Sequence, residues 1–256
     1  MNDTPGPSPR SGPPGDAVMI LGATSDIARA LARAYAEARH PLILTARRVE
    51  ALERDAEDLR LRHGVTVDIV GFDLLDLAAH VPLLDRFPEA ETVIMVAGLL
   101  GEQSRSATDH AEAERVMNTN YVAPALFLGE VANRLERLGR GTIIGISSVA
   151  GDRGRASNYI YGSAKAGFTA FLSGLRNRLA AKGVRVITVK PGFVNTRMTE
   201  GMKLPARLTA EPAEVARAIR LAAAKGRDVI YVRPIWWPIM TVIGLVPERV
   251  FKRMKL

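Results

Sequence analysis

The sequence predicts a single α/β domain, a doubly wound parallel sheet of about seven strands with helices on both faces. Two observations carry that prediction. From residue 17 onward, short β-branched runs alternate with longer Ala/Leu/Arg stretches of helical period. The strand runs are apolar along their whole length, not at every second position, as burial under helices on both faces requires. A chain of 256 residues is also long enough to bury one large core.

Taken in order, 17–21 reads as the first strand and 26–38 as the helix after it. A strand over 42–45 leads to a helix over 49–62, and apolar runs at 67–71 and 92–96 flank a weaker helix at 78–87. Next come a long helix over 111–138, a strand over 141–147, a helix over 157–182 and a strand over 185–190. A helix over 212–224 and a strand over 228–232 complete the alternation. Parallel neighbours need right-handed crossovers, so this succession gives a Rossmann-type sheet. It occupies 16–233, between a Pro/Gly/Ser-rich tail over 1–15, expected to be disordered, and an apolar, basic tail over 234–256.

Composition narrows the function. With no cysteine there are no disulfides, thiolate metal sites or cysteine nucleophile, and no metal is expected. The net charge of +8 is spread along the chain beside carboxylates, as in Arg54-Asp55-Ala56-Glu57-Asp58, so no nucleic-acid partner is expected. A cofactor phosphate or an anionic lipid surface suits the charge better. The first residues lack the apolar core of a signal peptide, and no run reaches the roughly 18 apolar residues of a spanning helix. The expected location is the cytoplasm.

The first strand ends in Gly22-Ala23-Thr24-Ser25-Asp26-Ile27-Ala28. A strand-to-helix turn offers unpaired N–H groups and the positive end of a helix dipole to a pyrophosphate. Gly22 permits the tight turn, and Thr24 and Ser25 add hydroxyls. Ser25 or Asp26 as an ordinary N-cap is the plain alternative. After the second strand stand Arg47 and Arg48, where an acid would hold the ribose hydroxyls of NAD. Arginine's forked donors suit a phosphate, so NADP(H) is preferred, with NAD(H) the alternative.

Tyr161 and Lys165 stand at i, i+4, one above the other on a helix face. A tyrosine hydroxyl is a poor base near pH 7 unless a cation lowers its pKa, and Lys165 can supply one. Ser148 follows a sheet strand, where ligands bind, and its hydroxyl can polarise a carbonyl while Tyr161 moves the proton. Alone, such a Tyr/Lys pair is more often a surface feature; its place after the strand and serine changes the reading.

Together these residues resemble the short-chain dehydrogenase/reductase family over roughly 17–232. The matching pieces are the Gly22 turn, Asp73-Leu74, Ala97-Gly98, Asn118-Thr119-Asn120-Tyr121, Ser148, Tyr161/Lys165 and Pro191-Gly192-Phe193-Val194-Asn195-Thr196. The resemblance implies a catalytic tetrad of Asn120, Ser148, Tyr161 and Lys165, with Asn120 holding a relay water for Lys165. It implies cofactor contacts from Asp73 and Leu74 at the adenine, from Ala97 and Gly98, and from Pro191, Gly192, Val194 and Thr196 at the nicotinamide. Ser148 is preferred to Ser147 because it stands thirteen residues before Tyr161, the family's interval. The sequence departs from the pattern at Asp26 and Ala28, which replace two glycines, and at Met95-Val96. The family also implies a homodimer or homotetramer built on helices 111–138 and 157–182.

For the substrate, a carbonyl compound, the segment 197–210 reads as a lid with Met198, Met202 and Leu204 as an apolar cover. Gly98-Leu99-Leu100-Gly101, the run from Gly151 to Ala156, Thr196-Arg197-Met198 and the apolar, basic tail are similar to the decaprenylphosphoryl-2-keto-ribose reductases. That likeness implies a keto sugar on a polyprenyl phosphate and places Arg153 and Arg155 near the substrate. A soluble ketone or 3-oxoacyl substrate is the alternative, and an NADP-binding sensor without turnover is the alternative of another class. The tail carries Trp236, Trp237 and a cationic end, which suit an anionic membrane surface, a neighbouring subunit or the substrate pocket.

Overall fold

Five consecutive buried residues, Ala17–Leu21, form β1 at the middle of the sheet in the computed structural model, which describes residues 17–254. The tail predicted over 1–15 lies outside the described residues. After β1 the chain runs through α1 (Asp26–Glu37), β2 (Leu42–Ala46), α2 (Glu50–His63), β3 (Val67–Gly71), α3 (His80–Arg86) and β4 (Ala90–Met95). It continues with α4 (Gln103–Ser106), α5 (His110–Met117), α6 (Ala123–Leu138), β5 (Gly141–Ile146), α7 (Tyr159–Leu179) and β6 (Val184–Pro191). Last come β7 (Phe193–Val194), β8 (Thr209–Ala210), α8 (Pro212–Lys225), β9 (Val229–Val232), α9 (Trp236–Leu245) and α10 (Glu248–Phe251).

Seven strands pair in the order β3-β2-β1-β4-β5-β6-β9, all parallel. The chain steps outward from β1 to β3, then jumps back to place β4 on the other side of β1. Such a reversal opens a crevice at the carboxyl ends of the strands, between β1 and β4. One face of the sheet is covered by α1, α2 and α8 through residues such as Leu31, Leu52 and Ile219. The other face is covered by α3, α6 and α7, where Phe127 and Phe168 are fully buried. Each such side chain contributes about 1.5–3 kcal/mol of burial, so the crevice sits on a stiff base.

Three segments depart from the sequence reading. The helix predicted over 111–138 is broken: α5 and α6 are joined by a π turn, Asn118–Val122. Pro124 has no N–H for the carbonyl of Asn120 four residues earlier, so the α-helical ladder cannot run through. The predicted lid is bracketed by a small parallel pair, β7 with β8, which the sequence reading did not contain. The terminal tail, assigned no element, forms α9 and α10. One side of α9 buries Trp236 and Met240 against Val149. The opposite side leaves Ile235, Trp237, Val242 and Leu245 exposed.

Candidate active site

A groove of about 400 Å³ opens at the crevice, lined from Arg47 past the Gly22 turn to Thr196. Gly22 has φ +80°, and a Cβ on it would stand 2.9 Å from the Ala97 backbone. Only glycine allows β1 and β4 to end this close together. Ser25 caps α1 by accepting from the Ala28 N–H at 3.2 Å. The first N–H groups of the helix therefore face a groove wall made by Thr24, Ser25, Asp26 and Ile27. Asp26 is turned aside: its carboxylate accepts from the Arg197 N–H at 2.9 Å and pairs with the Arg197 guanidinium at 3.3 Å. The guanidinium also donates to the Thr24 carbonyl, so the start of the lid is fastened to the turn.

Arg47 lines the far end of the groove, while Arg48 does not. Asp73, which accepts from the Leu75 N–H at 3.0 Å, and Leu74 form the wall contributed after β3. Ala97 and Gly98 form the floor after β4. A Cβ at Gly98 would lie 3.2 Å from Asn120 Oδ1 and 3.6 Å from Lys165 Nζ, so this glycine separates the groove from two buried polar groups. Arg115 and Thr119 also line the groove. The sequence reading missed both, because only the π turn after α5 brings that helix end to the crevice.

A second cavity of about 540 Å³ adjoins the groove and shares Gly98, Thr196 and Met198 with it. Ser148, Tyr161 and Lys165 face this cavity together, with Pro191, Gly192 and Val194 on its wall. Ser148 Oγ accepts from the Ala150 N–H at 3.1 Å, which leaves its own proton free to donate. Its side chain acts on the Tyr161 hydroxyl and favours that group's ionised form. Ser147 is committed elsewhere: it donates to the Lys165 carbonyl at 3.0 Å and shares a 2.6 Å hydrogen bond with Thr169.

Burial pushes the Tyr161 hydroxyl up to about 12, opposed by the Ser148 side chain. Burial pushes the Lys165 ammonium down to about 8. Lys165 Nζ donates to the Ile146 carbonyl at 3.0 Å and lies 5.8 Å from the Tyr161 ring centre. In the protein as folded, desolvation outweighs the cation expected to lower Tyr161, so the tyrosine holds its proton near neutral pH.

Asn120 is completely buried and lines neither cavity. Its amide donates to the carbonyls of Leu99 at 2.6 Å and Val116 at 2.8 Å, and its oxygen accepts from the Leu99 N–H at 3.2 Å. Both amide donors of Asn120 are therefore engaged, and its oxygen accepts one bond.

Arg155, Met198 and Met202 line the cavity, while Leu204 does not. Arg153 was expected near the substrate, and the structure corrects this. Its guanidinium donates to the carbonyls of Gly244 and Val246 at 2.9 and 3.2 Å and to Glu248 at 2.7 Å. It also lies 4.1 Å over the Phe251 ring, so it clamps the tail and not a ligand. The tail in turn supplies Trp236 to the cavity wall. The indole donates to the Leu208 carbonyl at 3.2 Å and meets Phe193 edge-on at 5.5 Å. A Cβ at Gly192 would fall 2.0 Å from the indole, so the ring rests directly on that glycine. Beneath this wall Asp152 accepts from Lys190 Nζ at 2.5 Å and from the Tyr231 hydroxyl at 2.9 Å, tying the Ser148 loop to β6 and β9.

Residues 16–205 match the short chain dehydrogenase family. An uncharacterized oxidoreductase of Mycobacterium tuberculosis is 40% identical over 241 residues, 93% of this chain and 96% of that protein. A sulfoacetaldehyde reductase of Chromohalobacter salexigens is 35% identical over 189 residues, 72% of this chain and 74% of its own length. A short-chain dehydrogenase from Sphingobium yanoikuyae, solved with NADPH, superposes with a TM-score of 0.78 at 26% identity, covering 91% of this chain and 96% of the other. The family match takes in the groove and all of the cavity lining but Trp236, and the first of these relatives agrees over nearly the whole chain. On that footing the chain belongs to the short-chain dehydrogenase/reductase family and is an oxidoreductase.

Proposed function

We propose that the protein is an NADPH-dependent reductase that converts a ketone or aldehyde with a substantial apolar portion to the alcohol. The observation that carries this reading is one cavity, faced by Ser148, Tyr161 and Lys165, that opens directly into the groove running to Arg47. A dinucleotide fits that groove. Its floor depends on Gly22 and Gly98, where a Cβ would meet Ala97 or Asn120, and α1 begins against its wall. The nicotinamide, when bound, supplies the hydride.

The residues of the chain handle the oxygen. Ser148 donates a hydrogen bond to the substrate carbonyl, and Tyr161, held protonated by burial, gives its proton to the oxygen as negative charge develops. Lys165, fixed by the Ile146 carbonyl, places its charge beside the tyrosinate that forms and stabilises it. Arg47 lines the groove after β2, where its forked donors suit a phosphate on the adenosine ribose, and Arg48 and Val49 after it bring no carboxylate. The NADPH found with the Sphingobium yanoikuyae dehydrogenase supports the same choice. Leu100, Val149, Ile160, Phe193 and Trp236 line the cavity and favour an apolar substrate body.

Fluorescence titration with NADPH and NADH tests the cofactor. Tighter NADPH binding, lost in Arg47→Asp, is expected, and equal binding of the two overturns the preference. Tyr161→Phe should lower turnover by about 10²–10⁴-fold while sparing NADPH binding. Activity surviving in that variant overturns the mechanism.

A further inference from the structure

Four side chains on the cavity wall carry polar atoms that the protein leaves unmatched. Arg155 Nε, Gln103 Nε2, Asn158 Oδ1 and Ser106 Oγ are shut off from solvent without a hydrogen-bond partner. All four residues line the cavity that contains Ser148 and Tyr161. Buried polar groups are normally satisfied, so a cluster of exceptions on one cavity asks for a ligand.

The donors are fixed in that role. Gln103 Oε1 accepts from the Ile160 N–H at 3.2 Å, which turns its NH₂ group away from that contact. Asp152 is the carboxylate acting on Arg155, and it is taken up by Lys190 and Tyr231. The guanidinium charge is left short of compensation beside Leu100, Val149, Ile160 and Phe193. Glu102, the carboxylate on the same cavity, is exposed and accepts from the Ser104 hydroxyl at 2.5 Å.

We infer that Arg155 and Gln103 form a subsite for an oxyanion on the substrate, so that the enzyme takes carbonyl compounds that carry a carboxylate, sulfonate or phosphate. The planar fork of arginine matches such an anion with two parallel donors. The inference rests on the carbonyl-reductase reading above and narrows its substrate to anionic members.

The test is NADPH oxidation with a ladder of oxo acids of increasing spacing between carbonyl and carboxylate, each beside its methyl ester. At the spacing that fits, the acid should exceed the ester in kcat/KM by about 10- to 100-fold, the span of one charge-assisted contact. Arg155→Met should remove that preference, lowering kcat/KM for the acid by that factor more than for the ester, with NADPH binding unchanged, and Arg155→Lys should restore part of it. Esters reduced as well as acids at every spacing overturn the inference, as does an equal fall for both in Arg155→Met. If no carbonyl is reduced, the reductase reading fails, and calorimetry decides the subsite separately. The same acids and esters are titrated into the NADPH-bound Tyr161→Phe protein. Tighter binding of the acid, lost with Arg155→Met, upholds the subsite, and equal binding overturns it.

Discussion

Arg153 gives the sharpest test of how the tail is held. Replacing it with Met keeps the stem and removes the guanidinium, which is four-fifths shielded and reaches two carbonyls, one carboxylate and one ring. A hydrogen bond from a charged donor contributes about 1.5–3 kcal/mol, although the Gly244 and Val246 carbonyls recover part of that from water once freed. Glu248 is three-quarters exposed, so its ion pair adds only about 0–1 kcal/mol. The stack on Phe251 adds about 0.5–1 kcal/mol. A net loss of about 2–3 kcal/mol raises the local opening of the tail roughly 30- to 150-fold. Hydrogen exchange measures it directly: amides of α9 and α10 should lose protection by that factor, while those of β1 and β4 keep theirs. Unchanged protection in the tail, or an equal loss throughout the sheet, refutes the clamp.

Two further outcomes follow from the same site. Gly192→Ala forces a methyl group into the Trp236 indole, an overpacking cost of about 1–3 kcal/mol in thermal denaturation, and a Trp236→Ala background should remove that cost; a full cost persisting without the indole contradicts the contact. In the pH profile of kcat for reduction, Tyr161 keeps its proton until about 12, whereas Lys165 loses its charge as pH rises through about 8. The rate should therefore be level below about 8 and decline above it, and a rate that climbs through that range speaks against the assigned roles.

The sheet was legible because fully buried strands leave uninterrupted apolar runs, and α1 and α8 carry their boundaries in local signals such as Ser25, Pro212 and Gly226. The Tyr161/Lys165 pair and Ser148 were legible because their geometry follows from spacing along one helix and one strand end. What escaped depends on contacts between distant segments. Arg153 looks like a ligand-binding arginine until the tail, more than ninety residues later, folds onto it. Gln103 and Asn158 show no pattern in the sequence, and only α7 set beside α4 brings them to one wall. The break at Asn120 did have a local signal in Pro124, but the apolar period of the surrounding helices ran across it.

The indole resting on Gly192 implies a division of labour within the domain. The groove and the cavity beside it are lined by turns at the ends of β1, β4, β5 and β6, strands anchored on both sides by packed helices. One wall of the cavity is instead supplied by the terminal tail, which Arg153 clamps and which packs through Trp236 on Gly192, Phe193 and Val149. On the proposed reading, exchanging α9 and α10 should change which substrates are admitted while leaving Ser148, Tyr161 and Lys165 in place, so grafting that segment is a route to new substrate ranges.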